Sequence, residues 1–415
     1  MNEHPRPPGP EGARPPRRLL RAFLHRNYRL YFLGQGISLI GTWMQGLAQS
    51  WLIYRLTGSS LALGGVNFAG QLPVLVLAPL GGVLADRLDR RRLLVLTQAA
   101  SILPALVLAA LTLAGAVEPW HVFALAALLG AVNAIDIPAR QAFVMELVGR
   151  EDLANAIGLN SSMFNGARVV GPALAGLLVG AAGEGVCFLL NAASFLAVLV
   201  CLARMDTPPS PAGGSGSALT HIREAISFAA GEPEVRGVLV LLGAVSLVGM
   251  SFLVLMPVFA DQILDSGPEG LGVLMSASGL GAFIGALTLA SRRDQQGLLR
   301  WIFAAAAGFG VCVTAFALSR SFWLSAGLLV PGGFCMIMQM AATNTFLQLT
   351  SPDRLRGRVM ALYAMLFIGF APFGALLAGS LAHGLGAPAA AALGGLASLG
   401  AALVLRRRHA RAERA

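Results

Sequence analysis

The stretch Gly82-Val83-Leu84-Ala85-Asp86-Arg87-Leu88-Asp89-Arg90-Arg91-Arg92 separates two long apolar segments. These segments, 60–84 and 93–114, each reach the roughly 20 residues that an α-helix needs to span a bilayer. The turn between them is highly charged and carries four arginines. Two apolar helices joined by a short basic turn indicate a polytopic membrane protein.

Ten further apolar segments of similar length follow along the chain. Together the predicted segments lie near residues 30–54, 60–84, 93–114, 120–144, 155–181, 185–203, 238–260, 270–290, 298–318, 322–347, 358–381 and 386–405. Only 12% of the residues are charged and the mean hydropathy is +0.71, which excludes an ordinary soluble domain. The sequence therefore predicts an all-α membrane protein with twelve transmembrane helices.

The basic residues are distributed asymmetrically between the loops. All 30 are arginine, and a cytoplasmic N-terminus places all but three of them in the tails, in cytoplasmic loops or at cytoplasmic helix ends. Arg55 and Arg320 fall outside, and Arg168 lies within a predicted helix. The positive-inside rule then predicts that both termini are cytoplasmic. Arginines beside anionic headgroups explain the net charge of +10 better than nucleic-acid binding does.

A polar linker divides the chain into two halves of six helices. The predicted organisation is a cytoplasmic Arg/Pro-rich tail (1–28), a first bundle (29–203), a cytoplasmic linker (204–234), a second bundle (235–405) and a basic cytoplasmic tail (406–415). Leu219, Ile222 and Ile226 recur at helical spacing in the linker. They predict an amphipathic helix on the inner membrane face, with a disordered tether as the alternative.

The turn between helices 2 and 3 resembles a signature of the major facilitator superfamily. The matching residues are Gly82, Asp86, Arg87, Arg90, Arg91 and Arg92. Asp89 departs from the family pattern, which usually has glycine there. The resemblance implies the major facilitator fold, in which two six-helix halves form a 6+6 pseudo-repeat. It also implies a gating role, in which Asp86 latches onto helix 11 in the outward-open state; the alternative is that these charges only set the topology.

Helix 5 resembles the signature of proton-antiporting exporters. Gly158, Gly171, Pro172 and Gly176 match its glycine and proline positions, and alanine replaces glycine at two others. Glycine and proline allow this helix to bend and to approach helix 8 closely. The resemblance implies export, and the alternative is a kinked helix without directional meaning.

Longer strings extend the resemblance over about residues 23–405. They include Gly34-Gln35-Gly36-Ile37-Ser38, Gly41-Thr42-Trp43-Met44-Gln45 and Asp136-Ile137-Pro138-Ala139-Arg140. The chain resembles the transmembrane secretion effectors, a bacterial branch that includes the enterobactin exporter and macrolide-efflux proteins. The resemblance implies a secondary transporter in the bacterial cytoplasmic membrane. It would export a small, amphiphilic, siderophore- or drug-like molecule by proton antiport with rocker-switch alternating access. The alternatives are a proton-coupled importer and a non-transporting membrane sensor or scaffold.

Ionisable residues inside the membrane are functional candidates because burying them is costly. Asp136 and Arg140 are four residues apart on helix 4, so they share a face and can pair. Asp136 is predicted to be the proton-responsive carboxylate, with a permanent structural pair as the alternative. Arg168, with Asn165 one turn earlier, lies near mid-membrane on helix 5. It is predicted to bind an anionic group of the cargo, with a structural bond to backbone carbonyls as the alternative.

Neutral polar residues at membrane depth complete the predicted cavity, with interhelical hydrogen bonding as the alternative for each. They are Gln45, Gln49, Asn67, Gln71, Asn191, Gln339 and Asn344. The sequence contains no metal, cofactor or catalytic motif, so an enzyme is not expected. The expected partners are a small-molecule substrate, protons and membrane lipid, without nucleic acid, and the chain is expected to act as a monomer.

Overall fold

A computed structural model describes residues 16–206, 227–291 and 297–412 of the chain. Nearly all of these residues are helical, and no strand occurs among them. The predicted all-α class is thus confirmed. The linker helix predicted from Leu219, Ile222 and Ile226 falls largely outside the described residues and stays a prediction.

The first half begins with a short 3₁₀ helix, Pro16–Leu24, and continues with long helices. These are α1 (Arg26–Thr57), α2 (Ser60–Arg87), α3 (Arg90–Leu113), a long helical run (Pro119–Ala182) and α6 (Glu184–Ala203). Two of them start with a side-chain cap: Ser59 accepts from the Ala62 amide and Asp89 from the Arg92 amide. These caps satisfy backbone donors that a helix start leaves open.

The run Pro119–Ala182 contains two membrane helices rather than one. Its 64 residues would extend about 96 Å if straight, three times the thickness of a bilayer core. Gly149 breaks the run with φ 68° and ψ 180°. This positive φ is readily adopted by glycine, which has no β-carbon. We call the part before Gly149 α4 and the part after it α5.

The second half contains six helices, of which the first is irregular. They are α7 (Pro233–Ile263), α8 (Gly267–Ser291), α9 (Leu298–Leu318), α10 (Phe322–Thr350), α11 (Asp353–Leu385) and α12 (Ala387–Ala412). In α7, π turns at Val245–Gly249 and Phe259–Ile263 flank a 3₁₀ stretch. Pro257 contributes to this irregularity because it lacks an amide donor.

By length and composition, ten helices in the described ranges can cross a membrane. The count treats Pro119–Ala182 as one helix and leaves out α1, which is long enough but carries several polar residues. The count of twelve therefore depends on dividing that run at Gly149 and on including α1.

The two halves pack internally and meet along two seams. In the first half α1 packs on α6 and α2 on α4, and in the second half α8 packs on α10 and α9 on α12. Between the halves, α2 lies against α11 and α5 against α8. Small residues allow this close approach, as is usual between membrane helices. Ser60 on α2, for example, donates to the Gly379 carbonyl on α11 over 3.1 Å.

Close contacts between the halves lie at one end of the bundle, and we interpret the other end, where two glycines have open space beside them, as the open end. A β-carbon added to Gly64, Gly176 or Gly379 would lie within 3.0 Å of the opposite half. One added to Gly82 or Gly158 would meet nothing within 4 Å. We call the open end, where α1 begins and α12 ends, the inner side, because the arginine distribution predicts it to be cytoplasmic.

Candidate transport pathway

Asp136 and Arg140 form an ion pair on the inner half of α4. The Arg140 Nη2 atom lies 3.0 Å from the Asp136 Oδ2 atom, as the four-residue spacing predicts. The second carboxylate oxygen accepts hydrogen bonds from Thr97 Oγ1 over 2.7 Å and from Gln98 Nε2 over 2.9 Å, both on α3. Asp136 is 2% exposed, so its negative charge is fully enclosed by these three partners.

Arg140 also borders a pocket, on the side away from Asp136. A cavity of about 450 Å³ lies between α1, α4 and α5, and Arg140 and Gln35 lie on its wall. Arg140 Nη1 donates to Gln35 Oε1 over 3.1 Å, and its side chain is 24% exposed. Arg140 therefore connects a buried carboxylate on one side to an open space on the other.

Arg168 lies at mid-membrane on α5, between the two halves. Its guanidinium lies 5.6 Å from the Trp43 ring centre on α1, a cation–π distance. Its Nη2 atom lies 4.0 Å from the Met336 sulfur on α10, in the opposite half. Within the described residues it has no carboxylate partner, so its charge is held by weak partners only.

The neutral polar candidates divide into three groups. Gln45 and Asn191 are buried inside the first half, where Asn191 Nδ2 donates to Gln45 Oε1 over 2.6 Å. Asn67 and Gln71 border a cavity of about 270 Å³ between α2, α7 and α11, in the region where the halves face each other. The others are dispersed: Gln49 is half-buried on α1, Asn165 donates to Ser161, Gln339 lies fully buried beside Thr343, and Asn344 accepts from Gln348.

The charged turn between α2 and α3 is built into the first half. Arg90 pairs with Glu146 of α4, and Arg91 donates to the Leu202 and Ala203 carbonyls of α6. Within the described residues, Arg87 and Arg92 form no hydrogen bond or ion pair with the second half, and a β-carbon added to Gly82 would meet nothing within 4 Å. Asp86 is exposed and forms no ion pair within that part of the chain. The latch to α11, predicted for the outward-open state, is therefore not engaged in this structure.

The glycines of the α5 signature have different neighbours. Gly176 faces Gly272 of α8, and the Pro172 carbonyl lies against the same residue. Gly171 instead packs on Trp43 within the first half. Gly158 is exposed, and a β-carbon added there would meet nothing within 4 Å. The signature therefore includes positions that bring α5 and α8 together.

Sequence reasoning missed the residues that enclose Asp136 and Arg168. Thr97 and Gln98 are polar residues in an otherwise apolar helix, a signal that was available. Trp43 and Met336 carry no such signal, because aromatic and methionine side chains are common in membrane helices. Their role depends on how α1 and α10 are placed around α5.

Comparison with known proteins gives the family. The sequence model of one family, the transmembrane secretion effectors of the major facilitator superfamily, matches residues 20–414 of the chain. The chain belongs to this family. As a secretion effector it is a multi-pass membrane transporter rather than an enzyme, and it acts on a small molecule. The predicted family and the major facilitator fold are thereby confirmed.

Curated relatives cover most of this secretion effector. The staphyloferrin A transporter of Staphylococcus aureus is 25% identical over 84% of the chain and 88% of that protein. The enterobactin exporter EntS of Shigella boydii is 27% identical over 86% of the chain and 85% of that protein. The multidrug efflux pump Tap of Mycolicibacterium fortuitum is 28% identical over 85% of the chain and 87% of that protein.

Solved structures share the fold at low sequence identity. The crystal structure of a mutant of the nucleoside transporter NupG superposes with a TM-score of 0.71 at 15% identity. It covers 94% of this secretion effector and 99% of the NupG chain. At this identity the likeness concerns the fold alone.

Proposed function

We propose that this secretion effector exports a small amphiphilic molecule, siderophore- or drug-like, from the cytoplasm in exchange for protons. The names of EntS and Tap, an exporter and an efflux pump, support the direction. The arginine distribution supports a bacterial cytoplasmic membrane with both termini in the cytoplasm. A monomer with one pathway between its halves is sufficient for this function.

The alternating-access part of the proposal is a rocker switch. In the present arrangement the seams are closed on the outer side, at Gly64 and Gly176, and open on the inner side, at Gly82 and Gly158. A cargo molecule can then enter from the cytoplasm. Rocking of the halves about the cargo would close the inner side and release the cargo outside.

The observation that carries proton coupling is the position of Arg140 between Asp136 and the pocket. Antiport requires that cargo and proton exclude each other. Ionised Asp136 holds Arg140 back, which leaves the pocket between α1, α4 and α5 open. A proton on Asp136 removes this attraction and releases the guanidinium into the pocket, where it obstructs the cargo.

The sign of this coupling restricts how the cargo binds. A cargo anion bound to Arg140 would draw it away from Asp136 and favour protonation of that carboxylate. Cargo and proton would then bind together, which gives symport rather than antiport. A neutral or cationic part of the cargo must therefore occupy the pocket, and an anionic part is better placed at Arg168, which has no carboxylate partner among the described residues.

The test is proton release from acid-loaded inside-out vesicles on addition of siderophores, macrolides or lipophilic cations. Wild-type protein should release protons with at least one class of compound. Asp136→Asn mimics the protonated carboxylate, so it should abolish this response and weaken cargo binding. The double variant Asp136→Asn/Arg140→Gln also removes the obstructing guanidinium. It should restore cargo movement without proton release.

Each alternative gives a different result. Proton-coupled flux in Asp136→Asn at the wild-type rate would exclude Asp136 as the coupling group. Compound-driven proton movement in the opposite sense would indicate the importer. Folded wild-type protein that moves neither cargo nor protons with any compound would favour the sensor or scaffold.

A further inference from the structure

A second cavity lies at the inner side of the second half, away from the seams. Its volume is about 790 Å³, and it is formed by the start of α7, the start of α9 and the end of α12. We call it the inner groove; its lining includes the charged residues Glu232, Glu234, Arg236 and Arg408 together with His409. None of these residues borders the pocket next to Arg140, so the inner groove is separate from the proposed pathway.

The lining of the inner groove is divided into a charged part and an apolar part. The charged part contains two carboxylates and two guanidinium groups, together with His409. The His409 Nδ1 atom lies 3.8 Å from the Glu234 Oε1 atom, and its ring centre lies 6.2 Å from that of Phe303. The Glu234 side chain remains 46% exposed, so it is available to a ligand. Charges of both signs thus face one space.

The apolar part runs along α7 towards the membrane interior. Val240 is 55% exposed, and with Leu299, Phe303 and Leu405 it forms the apolar wall. Gly237 lies between this wall and the charged rim, and a β-carbon added there would meet nothing within 4 Å. The space is therefore continuous from the charged rim to the apolar wall.

This combination fits an amphiphile with a dipolar headgroup. A phosphate would bind Arg236 and Arg408, while a primary ammonium would donate hydrogen bonds to Glu232 and Glu234. A headgroup with phosphate alone would leave Glu232 without a cation and Glu234 with only the His409 ring, at 3.8 Å. A trimethylammonium group has no N–H to donate. The acyl chains of a lipid would follow the apolar wall, because lipid headgroups lie at this end of the helices.

We propose that the inner groove binds one phospholipid of the phosphatidylethanolamine class. The lipid joins the ends of α7, α9 and α12 and fixes the irregular helix α7 at its inner end. Its binding does not depend on the direction of transport or on proton coupling.

The test is lipid retention by purified protein in detergent, measured by native mass spectrometry. The protein is incubated with an equimolar mixture of phosphatidylethanolamine, phosphatidylcholine and phosphatidylglycerol of identical acyl chains. One phosphatidylethanolamine should remain bound, with a preference of about tenfold over each of the others. Gly237→Leu fills the groove and should abolish retention. Glu232→Gln/Glu234→Gln should leave binding but remove the preference.

Gly400→Leu is the matched control. Gly400 is an exposed glycine on α12 with open space beside it, and it does not line the inner groove. It should retain lipid as the wild type does. Equal retention of the three lipids by the wild type would overturn the proposal, as would a preference for phosphatidylglycerol. Wild-type retention by Gly237→Leu would equally exclude this groove as the site. Transport activity is not part of the measurement, so failure of the proposed function would not alter its result.

Discussion

Replacing Gly272 by alanine should shift this transporter away from its inward-open arrangement. Gly272 lies on α8, where the outer seam is closed against α5. A β-carbon there would lie 2.7 Å from the Pro172 carbonyl oxygen and 2.9 Å from the Gly176 α-carbon. Both are backbone atoms, so relief requires a movement of one helix rather than of a side chain. Ordinary contact begins at 3.4 Å, and the helices must separate by about 0.7 Å.

Overpacking of this kind costs about 1–3 kcal/mol. The cost applies only while the outer seam is closed, because α5 and α8 separate there in the outward-open state. The ratio of inward-open to outward-open molecules should therefore fall by about 5- to 150-fold. The free energy of unfolding should fall by less than this cost of about 1–3 kcal/mol, since the outward-open state relieves the contact.

The measurement is the rate at which maleimide labels the variant Ser161→Cys. Ser161 is exposed on α5 and borders the pocket next to Arg140, so it is accessible from the inner side. The four native cysteines, none of which is disulfide-bonded, are first replaced by alanine. Gly272→Ala should slow labelling at least about fivefold. Gly327→Ala on α10, where an added β-carbon meets nothing within 4 Å, should not. Labelling of Gly272→Ala at the wild-type rate would refute the reasoning, and so would equal slowing in Gly327→Ala.

Further substitutions at three charged residues separate structural from functional charges. Asp89→Ala removes the acceptor of the Arg92 amide at the start of α3 and should lower the free energy of unfolding by about 1 kcal/mol. Exposed Asp86→Asn should change the free energy of unfolding by less than about 0.5 kcal/mol yet slow transport. Thermal unfolding and vesicle flux measure the two effects, and equal thermal losses in the two variants would contradict this contrast. Arg168→Gln should weaken the binding of an anionic cargo by at least about tenfold and that of its uncharged analogue by much less, and Arg168→Lys should retain part of the affinity; equal losses for both compounds in a titration would exclude an anion site.

The fold could be predicted from the sequence because a membrane imposes strong constraints on composition. Apolar segments of bilayer length and arginines in alternate loops leave little freedom for any other architecture. The same constraints do not determine the residues at which each helix begins and ends. α1 begins at Arg26 rather than near residue 30, and α4 and α5 are separated by a break at Gly149 rather than by a loop.

The candidate pathway could be predicted only in part. Pairing of Asp136 with Arg140 follows from spacing along one helix. Whether a polar residue lines the cavity or joins two helices depends on the rotation of each helix, which spacing does not determine. Gln45 illustrates this, because its partner Asn191 lies on α6, which only the tertiary structure brings beside α1. Gln71, by contrast, faces the space between the halves.

The position of Arg168 connects cargo binding to the movement of the halves. Its backbone carbonyl lies at the seam, where a β-carbon on Gly279 would approach it to 2.8 Å, so under the proposed rocker switch Arg168 would move with the surface that opens and closes. Among the described residues, the hydrogen-bond partner of its guanidinium in the other half is the Met336 sulfur, at 4.0 Å, and a thioether is a weak acceptor. Separation of the halves at this level therefore costs little electrostatic energy. An anionic group of the cargo would replace a weak partner by a strong one without breaking an existing ion pair.

A carboxylate in place of Met336 would do the opposite, because it would bind Arg168 permanently and hold the halves together. Met336→Glu should accordingly slow transport while raising thermal stability; faster or unchanged transport in this variant would show that Arg168 does not move relative to α10.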